Sequence, residues 1–281
     1  MFLALIALLC ATAVLPAQQP RAIATDPAPT KPTTQNIETV ISSHGSKLTG
    51  SFLLAAGAEP HGTVILLHGF PGYEQNMDLA QAMRRAGWNV LAMHYRGSWG
   101  AEGTFSFTHC IEDAGTMLAY VLDPANEAKF HIDPRRIFVV GHSMGGFVAT
   151  VTMAERKEIA GGVIVTEGSP LHDGPGFFGA EMDPLDYAPL SGTSPQALEE
   201  EAKSHATEWT FGVLAAKVAA RPVLVLTTND GLRGSNDELT AALKRSGSTV
   251  SNVHIDSDHA FSDHRIALET EVLKWLEKQG R

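Results

Sequence analysis

The stretch that decides the fold of this protein is residues 137–155, which read IFVVGHSMGGFVATVTMAE. A short apolar strand pattern, Ile137–Val140, is followed by the turn Gly141–Gly145, of the form G-x-S-x-G, and then by an apolar segment with helical spacing. A serine on a tight turn between a strand and a helix is exposed at the end of the sheet. The helix N-terminus behind that turn favours negative charge on a group that the serine attacks. These residues therefore predict Ser143 as a nucleophile.

Four further apolar runs resemble Ile137–Val140, and they are Val64–Leu67, Val90–Met93, Val163–Val165 and Val223–Leu226. Strands that are apolar on both faces belong to a sheet that is covered on both sides, which is typical of parallel pairing. Amphipathic helical spacing lies between these runs at Asp78–Ala86, Ile111–Leu122 and Phe147–Glu155. The alternation predicts a doubly wound α/β fold with its site at the carboxyl ends of the strands.

Weaker patterns complete an eight-stranded, mostly parallel sheet. Glu38–Ser42 and Lys47–Ala55 predict an antiparallel hairpin at the sheet edge, and Thr249–Ile255 predicts the eighth strand. A closing helix is expected over Ser262–Lys278.

The segment 168–221 interrupts this alternation. It has more than fifty residues, with helical patterns that start near Ser194 and Thr207. Because this is too long for a plain crossover, we predict a lid insertion over the strand ends. Its acidic run, Glu199–Glu201, is interpreted as a solvated helix face.

A serine nucleophile needs a base and an acid that orients the base. In proteins with this turn the chain order is serine, then acid, then histidine. Asp230 follows the strand Val223–Leu226 and precedes a glycine, so it is the predicted acid. Glu167, at the end of the preceding strand, is the alternative acid, with a pocket-lining carboxylate as its other interpretation.

Three histidines follow Asp230 in the chain. His259 lies in a polar loop between the last strand and the last helix, at a carboxyl strand end, and is the predicted base. His254 falls within the strand pattern and His264 in the final helical pattern, where packing or solvent accounts for them. A metal site is the weaker interpretation, because a strand and a loop would scatter the ligands.

A glycine-rich loop, His68–Gly72, directly follows the strand Val64–Leu67. Backbone N–H groups at such a position stabilise the negative charge that develops on an attacked carbonyl oxygen. The predicted donors of this oxyanion hole are the amides of Phe70 and Met144.

These motifs resemble the α/β-hydrolase superfamily over residues 38–281. The loop His68–Gly72 is similar to its oxyanion loop, Gly141–Gly145 to its nucleophile turn, and Asp258–Phe261 to its histidine loop. Tyr95–Gly100 is similar to the Arg-Gly-x-Gly segment after the fourth strand, and Asp133–Ile137 resembles the dienelactone-hydrolase-like and serine-peptidase-like branches. The resemblance implies a serine hydrolase, whereas the insertion matches no motif that would define its substrate.

The first residues have a different composition. Phe2–Leu15 is an uncharged apolar run, shorter than the roughly 20 residues of a bilayer span and suited to an export signal. We predict a signal peptide at 1–17, a linker at 18–36 and one α/β-hydrolase domain at 37–281. The protein is then periplasmic or secreted; an uncleaved anchor is the alternative.

Composition excludes several classes of function. The formal net charge of −10 disfavours nucleic-acid or anionic-membrane partners. Two cysteines, Cys10 and Cys110, form neither a disulfide scaffold nor a cysteine-rich metal site. Gly174–Gly179 fits G-x-G-x-x-G but lacks the strand-to-helix junction of a dinucleotide site, so no cofactor and no metal are expected.

The predicted function is that of an exported serine hydrolase. A carboxylesterase acting on a small-molecule acyl ester is the first candidate, and a serine exopeptidase acting on short peptides is the second. An acyltransferase, or a hydrolase fold that only binds ligands, stays open. Nothing in the sequence determines the oligomeric state.

Overall fold

The computed structural model describes residues 19–171 and 183–279 of the 281-residue chain. The predicted signal peptide at 1–17 and the Gly174–Gly179 motif lie outside the described residues. Among those that are described, no helix is long and apolar enough to cross a membrane.

The described chain forms an eight-stranded sheet with the order β1-β2-β4-β3-β5-β6-β7-β8. The strands are β1 (Gln35–Ser43), β2 (Ser46–Leu54), β3 (His61–Leu67), β4 (Asn89–Met93), β5 (Ile132–His142), β6 (Gly161–Val165), β7 (Pro222–Thr227) and β8 (Thr249–His254). β2 pairs antiparallel with β1 and with β4, and all other pairs are parallel. The predicted fold class, a mostly parallel α/β sheet, is confirmed.

The helices of the described residues are α1 (Arg21–Ala24), α2 (Met77–Arg85), α3 (Phe107–Val121), α4 (Pro124–Phe130), α5 (Met144–Glu155), α6 (Pro195–Ser204), α7 (Phe211–Val218), α8 (Arg233–Arg245) and α9 (Arg265–Gln279), with a 3-10 helix at Pro184–Tyr187. Local sequence patterns predicted no helix at α1, α4 or α8. The start of α4 carries its own signal, because Asp123 caps the amides of Ala125 and Asn126 and a proline occupies the first turn.

The sheet is buried on both faces, as its continuous apolar strands predict. Along β5, Ile137 and Val139 belong to the core beneath α3, α5 and α7, whereas Phe138 and Val140 belong to the core beneath α2 and α9. Side chains of a strand alternate between its faces, so both faces of a central strand must be apolar here.

The structure differs from the predicted insertion 168–221 at its carboxyl end. Helix α7 starts four residues after Thr207 and buries Phe211, Leu214 and Val218 in the core beside α5. Their i, i+3, i+7 spacing places them on one helix face. Residues 211–218 therefore form a crossover helix between β6 and β7 that packs on the core, within the range predicted as an insertion.

The predicted linker 18–36 is structured in part. It contains α1 and the first residues of β1, and Arg85 Nε donates a hydrogen bond to the carbonyl of Ala22 at 2.6 Å. Ala22 and Ile23 also pack against the core beneath α2 and α9.

Candidate active site

Ser143 lies on a strained turn between β5 and α5. Its φ of 56° and ψ of −127° are unusual for a residue with a side chain, a conformation that typically costs about 1–3 kcal/mol. A Cβ on Gly141 would lie 2.0 Å from the carbonyl oxygen of Gly145, and one on Gly145 would lie 2.1 Å from that of Leu67. Only glycine fits at these two positions, which explains the G-x-S-x-G pattern.

Asp230 and His259 form a close pair at the carboxyl ends of β7 and β8. The Nδ1 of His259 lies 2.7 Å from Oδ2 of Asp230, whose side chain is 4% exposed against 39% for His259. Because a carboxylate only accepts hydrogen bonds, Nδ1 carries the proton and Nε2 is left as the basic nitrogen.

Three hydrogen bonds converge on the Asp230 carboxylate. His259 Nδ1 and Thr166 Oγ1 both donate to Oδ2, and the amide of Leu232 donates to Oδ1 at 3.0 Å. Burial raises the pKa of Asp230, but the bonds from His259, Thr166 and Leu232 outweigh that effect and hold the pKa below its usual value. The carboxylate therefore stays ionised beside the imidazole at neutral pH.

His142, the neighbour of Ser143, brings the nucleophile turn against the histidine loop. Its Nε2 lies 2.8 Å from the carbonyl oxygen of His259, and the two imidazole rings are 4.8 Å apart. Within residues 19–171 and 183–279, no hydrogen bond joins Ser143 Oγ to the ring of His259. Such bonds are commonly long in ligand-free enzymes and tighten when the substrate binds.

The loop after β3 lies directly against Ser143. A Cβ on Gly69 would lie 2.8 Å from Cβ and 3.4 Å from Oγ of Ser143, so Gly69 leaves room for the serine side chain. Phe70 follows in this loop, and the amide of Met144 is the first of α5, a position without an acceptor inside the helix. The structure thus brings the loop of Phe70, the turn of Met144 and Ser143 to one place.

Glu167, the alternative acid, is directed elsewhere. Its side chain is buried and accepts a hydrogen bond from Thr150 Oγ1 of α5 at 3.1 Å. Its backbone amide and carbonyl both bond to the side chain of Asn236. The imidazole of His259 pairs with Asp230 and not with Glu167.

The other two histidines bond to neighbours outside this pair. His254 contacts Thr227 Oγ1 at 2.9 Å and Asn229 Oδ1 at 3.1 Å, and His264 contacts its neighbour Asp263 at 3.0 Å. In the described part of the chain, no group of three or more His, Cys, Asp or Glu side chains is arranged to hold a metal ion.

The segment 183–193 lies along the loop that follows β4. Leu190 forms an antiparallel bridge with Ser98, and the amide of Trp99 donates to the carbonyl of Pro189 at 2.9 Å. The ring of Tyr187 reaches that of Phe70, with 5.4 Å between the ring centres. This segment therefore contacts the loop that holds one predicted oxyanion donor.

Glu201 of α6 has a structural role that the sequence analysis missed. Its carboxylate accepts from the amides of Phe107 and Thr108, at 2.9 and 2.7 Å, at the N-terminus of α3. An anion at a helix N-terminus is stabilised by the unpaired amides and the helix dipole. The interpretation of Glu199–Glu201 as a solvated face is wrong for Glu201, since its carboxylate binds the start of α3. No local pattern shows which helix terminus a distant carboxylate will contact.

Two buried histidines of this region predict acid-sensitive folding. Burial lowers the pKa of His68 to about 4 and that of His142 to about 3, against 6.5 in an unfolded chain. The unfolded state therefore binds protons that the folded state does not, and stability falls as the pH drops below 6.5. From about pH 7.5 to pH 5 we expect about 2 kcal/mol of lost unfolding free energy per histidine, or about 4 kcal/mol together.

Urea unfolding at several pH values measures this loss. His142→Gln should remove about half of the pH dependence. The matched control, exposed His264→Gln, should leave it unchanged. An unaltered slope in His142→Gln would show that this histidine is protonated as readily in the folded protein as in the unfolded chain.

Known proteins resemble this chain in sequence and in fold. The family model described as serine aminopeptidase, S33, matches residues 58–173. A multifunctional-autoprocessing repeats-in-toxin protein of Vibrio vulnificus is 26% identical over an alignment of 241 residues, which covers 76% of this chain but only 4% of that protein.

Solved esterases share the whole architecture. An esterase of Pyrococcus furiosus is 19% identical with a TM-score of 0.65, covering 94% of this chain and 96% of its own. Est1E of Butyrivibrio proteoclasticus, solved with ferulic acid bound, is 18% identical with a TM-score of 0.67, covering 86% of this chain and 98% of its own. The chain therefore shares the fold of these esterases.

Proposed function

We propose that this protein is an exported carboxylesterase that works through a Ser143–His259–Asp230 triad and an acyl-enzyme. The observation that carries the proposal is the His259–Asp230 pair beside the strained turn of Ser143. A carboxylate that orients an imidazole near a serine hydroxyl meets the requirement for making that hydroxyl nucleophilic.

The reaction has two halves. In the first, Oγ of Ser143 attacks the acyl carbonyl while Nε2 of His259 takes the hydroxyl proton, and the imidazolium then gives that proton to the departing alcohol. In the second, His259 takes a proton from water, the hydroxide attacks the acyl-enzyme, and the proton returns to Oγ of Ser143 as the acid is released. Asp230 stays ionised throughout and stabilises the imidazolium.

The amides of Phe70 and Met144 are the proposed donors to the carbonyl oxygen, on which negative charge develops in both halves. The close approach of Gly69 to Ser143 supports this assignment, because it holds the loop of Phe70 beside the proposed nucleophile. Removal of one such donor typically lowers kcat by about 10²–10³-fold.

Small or medium acyl esters are the proposed substrates. Aromatic side chains gather around the oxyanion loop, where Phe70 lies 5.7 Å from Phe105 and 5.4 Å from Tyr187 between ring centres. An apolar wall beside the oxyanion donors suits an acyl group. The solved relatives described as esterases, one with a bound aromatic acid, support the same substrate class.

The proposed lid comprises residues 168–210, without the crossover helix α7. The contact between Tyr187 and Phe70 supports the proposal that its described part lies beside the site. We further propose that residues 1–17 direct export of the protein to the periplasm or the medium. The grounds are the apolar run Phe2–Leu15 and the small residue Ala17 that ends the segment.

A serine exopeptidase is the second candidate, and the match of residues 58–173 to the serine aminopeptidase family model favours it. Both candidates use the same acylation chemistry. They differ in the leaving group, which is an alcohol for an ester and a poorer amine for a peptide.

One panel of substrates separates these functions. Purified protein is first labelled with a fluorophosphonate probe, and turnover is then measured on matched aryl esters and aminoacyl anilides with the same acyl groups. The esterase proposal predicts labelling and a higher kcat/KM on the esters.

Faster turnover of the anilides would establish the exopeptidase instead. Transfer of the acyl group to an added alcohol at the expense of hydrolysis would indicate an acyltransferase. Absence of both labelling and turnover would leave a ligand-binding protein.

A further inference from the structure

Thr166, the residue directly after β6, has an unusual backbone conformation. Its φ is 41°, and it is completely buried. A β-branched side chain at positive φ is a genuine outlier, and it persists only where the surroundings impose it. Here its amide donates to the carbonyl of Leu226 on β7 at 2.7 Å, which anchors the residue at the β6–β7 junction.

This conformation directs the Thr166 hydroxyl to Asp230, 64 residues further along the chain. The hydroxyl donates to Oδ2, the same oxygen that accepts from Nδ1 of His259. The other oxygen, Oδ1, is held by the amide of Leu232. Donors from two different strand ends therefore determine the rotation of this carboxylate.

We propose that Thr166 is a positioning residue of the esterase, one that holds the Asp230 carboxylate in register with His259. This inference rests on the proposed triad and adds to it a residue that never touches the substrate. Without the hydroxyl, Oδ2 loses a fixed donor, and the carboxylate can rotate away from Nδ1. The imidazole would then spend less time with Nε2 directed at Ser143.

Other buried threonines in the same region behave differently. Thr152 of α5 donates to the carbonyl four residues earlier in its own helix, and Thr150 contacts such a carbonyl and the Glu167 carboxylate, so neither hydroxyl reaches Asp230. Thr227, at the end of β7, is equally buried, and its hydroxyl contacts Nδ1 of His254, outside the triad. Thr227 therefore offers a matched control for the loss of a buried hydroxyl at a strand end.

The test compares Thr166→Val, Thr166→Ser and Thr227→Val. Valine keeps the shape of threonine but removes the hydroxyl, and serine keeps the hydroxyl. At metal sites, removal of an outer hydrogen-bond partner that orients a reacting group typically lowers activity by about 10–100-fold. By analogy, Thr166→Val should lower kcat about 10-fold with little change in KM. Thr166→Ser should recover most of that loss, and Thr227→Val should keep the wild-type kcat.

A spectroscopic measurement separates positioning from general damage. The proton between His259 Nδ1 and Asp230 gives a low-field resonance in the proton NMR spectrum, which Thr166→Val should shift or broaden and Thr227→Val should not. Equal losses of kcat in Thr166→Val and Thr227→Val, or no rescue by serine, would overturn the inference. If instead the wild-type protein hydrolyses no ester, the proposed function itself fails, whatever the NMR spectrum shows.

Discussion

Replacement of Ser143 by alanine is expected to lower kcat for ester hydrolysis by about 10⁶-fold, the size of effect seen when a triad nucleophile is removed. Alanine has no hydroxyl to attack the acyl carbon, while the donors of Phe70 and Met144 stay in place. The backbone at position 143 is strained with either side chain, so the fold should persist. Initial rates with an aryl ester, together with fluorophosphonate labelling, measure the effect.

The same prediction extends to His259. Because serine and histidine act as a unit, His259→Ala should have a loss of similar size, and the double variant should be little worse than either single one. Ser42→Ala, on the exposed face of the edge strand β1, is the matched control and should retain wild-type rates. Labelling that persists in Ser143→Ala would place the nucleophile elsewhere in the chain.

Asp230→Asn is expected to lower kcat by about 10⁴-fold, because an amide group can reverse the imidazole tautomer while the geometry stays intact. The asparagine NH₂ donates to Nδ1, which moves the proton to Nε2 and removes the base. The matched variant is Glu167→Gln, which alters the other candidate acid by the same chemistry. Since the Glu167 carboxylate contacts Thr150 and not His259, its loss should affect thermal stability more than kcat.

Rates of both variants, with melting temperatures from the same preparations, decide between the two acids. Undiminished turnover in Asp230→Asn, combined with collapse in Glu167→Gln, would move the acid to the end of β6. Loss of activity in both variants with unchanged folding would imply that Glu167 supports the site through α5.

Local sequence patterns predicted most of the architecture, because the apolar runs and the glycine turn each depend on residues that are close in the chain. The apolar runs at β3 to β7 are short and continuous, and a sheet covered on both faces requires that pattern. The turn around Ser143 was equally readable, since a Cβ at Gly141 or Gly145 would collide with backbone. Helix α8 was missed because its polar and charged surface obscures the buried Leu239 and Leu243.

Contacts between residues that are distant in the chain could not be predicted from local sequence patterns. Helix α7 was predicted as part of the insertion because the apolar residues on its buried face have the same spacing whether the helix packs on a sheet or belongs to a lid. Glu201 resembled a solvated residue because the helix end that it caps begins 94 residues earlier in the chain. Thr166 carried no signal at all, since a threonine after a strand is an ordinary residue until its φ and its hydrogen-bond partner are known.

The sequence by itself determined which strands the candidate catalytic residues follow. A serine lies on a tight turn after β5, and candidate acids and a histidine lie at the ends of later strands. Such turns and strand ends depend on residues that are adjacent in the chain, so the positions of glycine and proline and the spacing of apolar residues predict them. Only the tertiary structure decided that Asp230 rather than Glu167 meets His259, and that Thr166 holds the Asp230 carboxylate. Both acids end parallel strands at the same sheet edge, so their side-chain directions depend on the packing of separate strands, which no local pattern encodes.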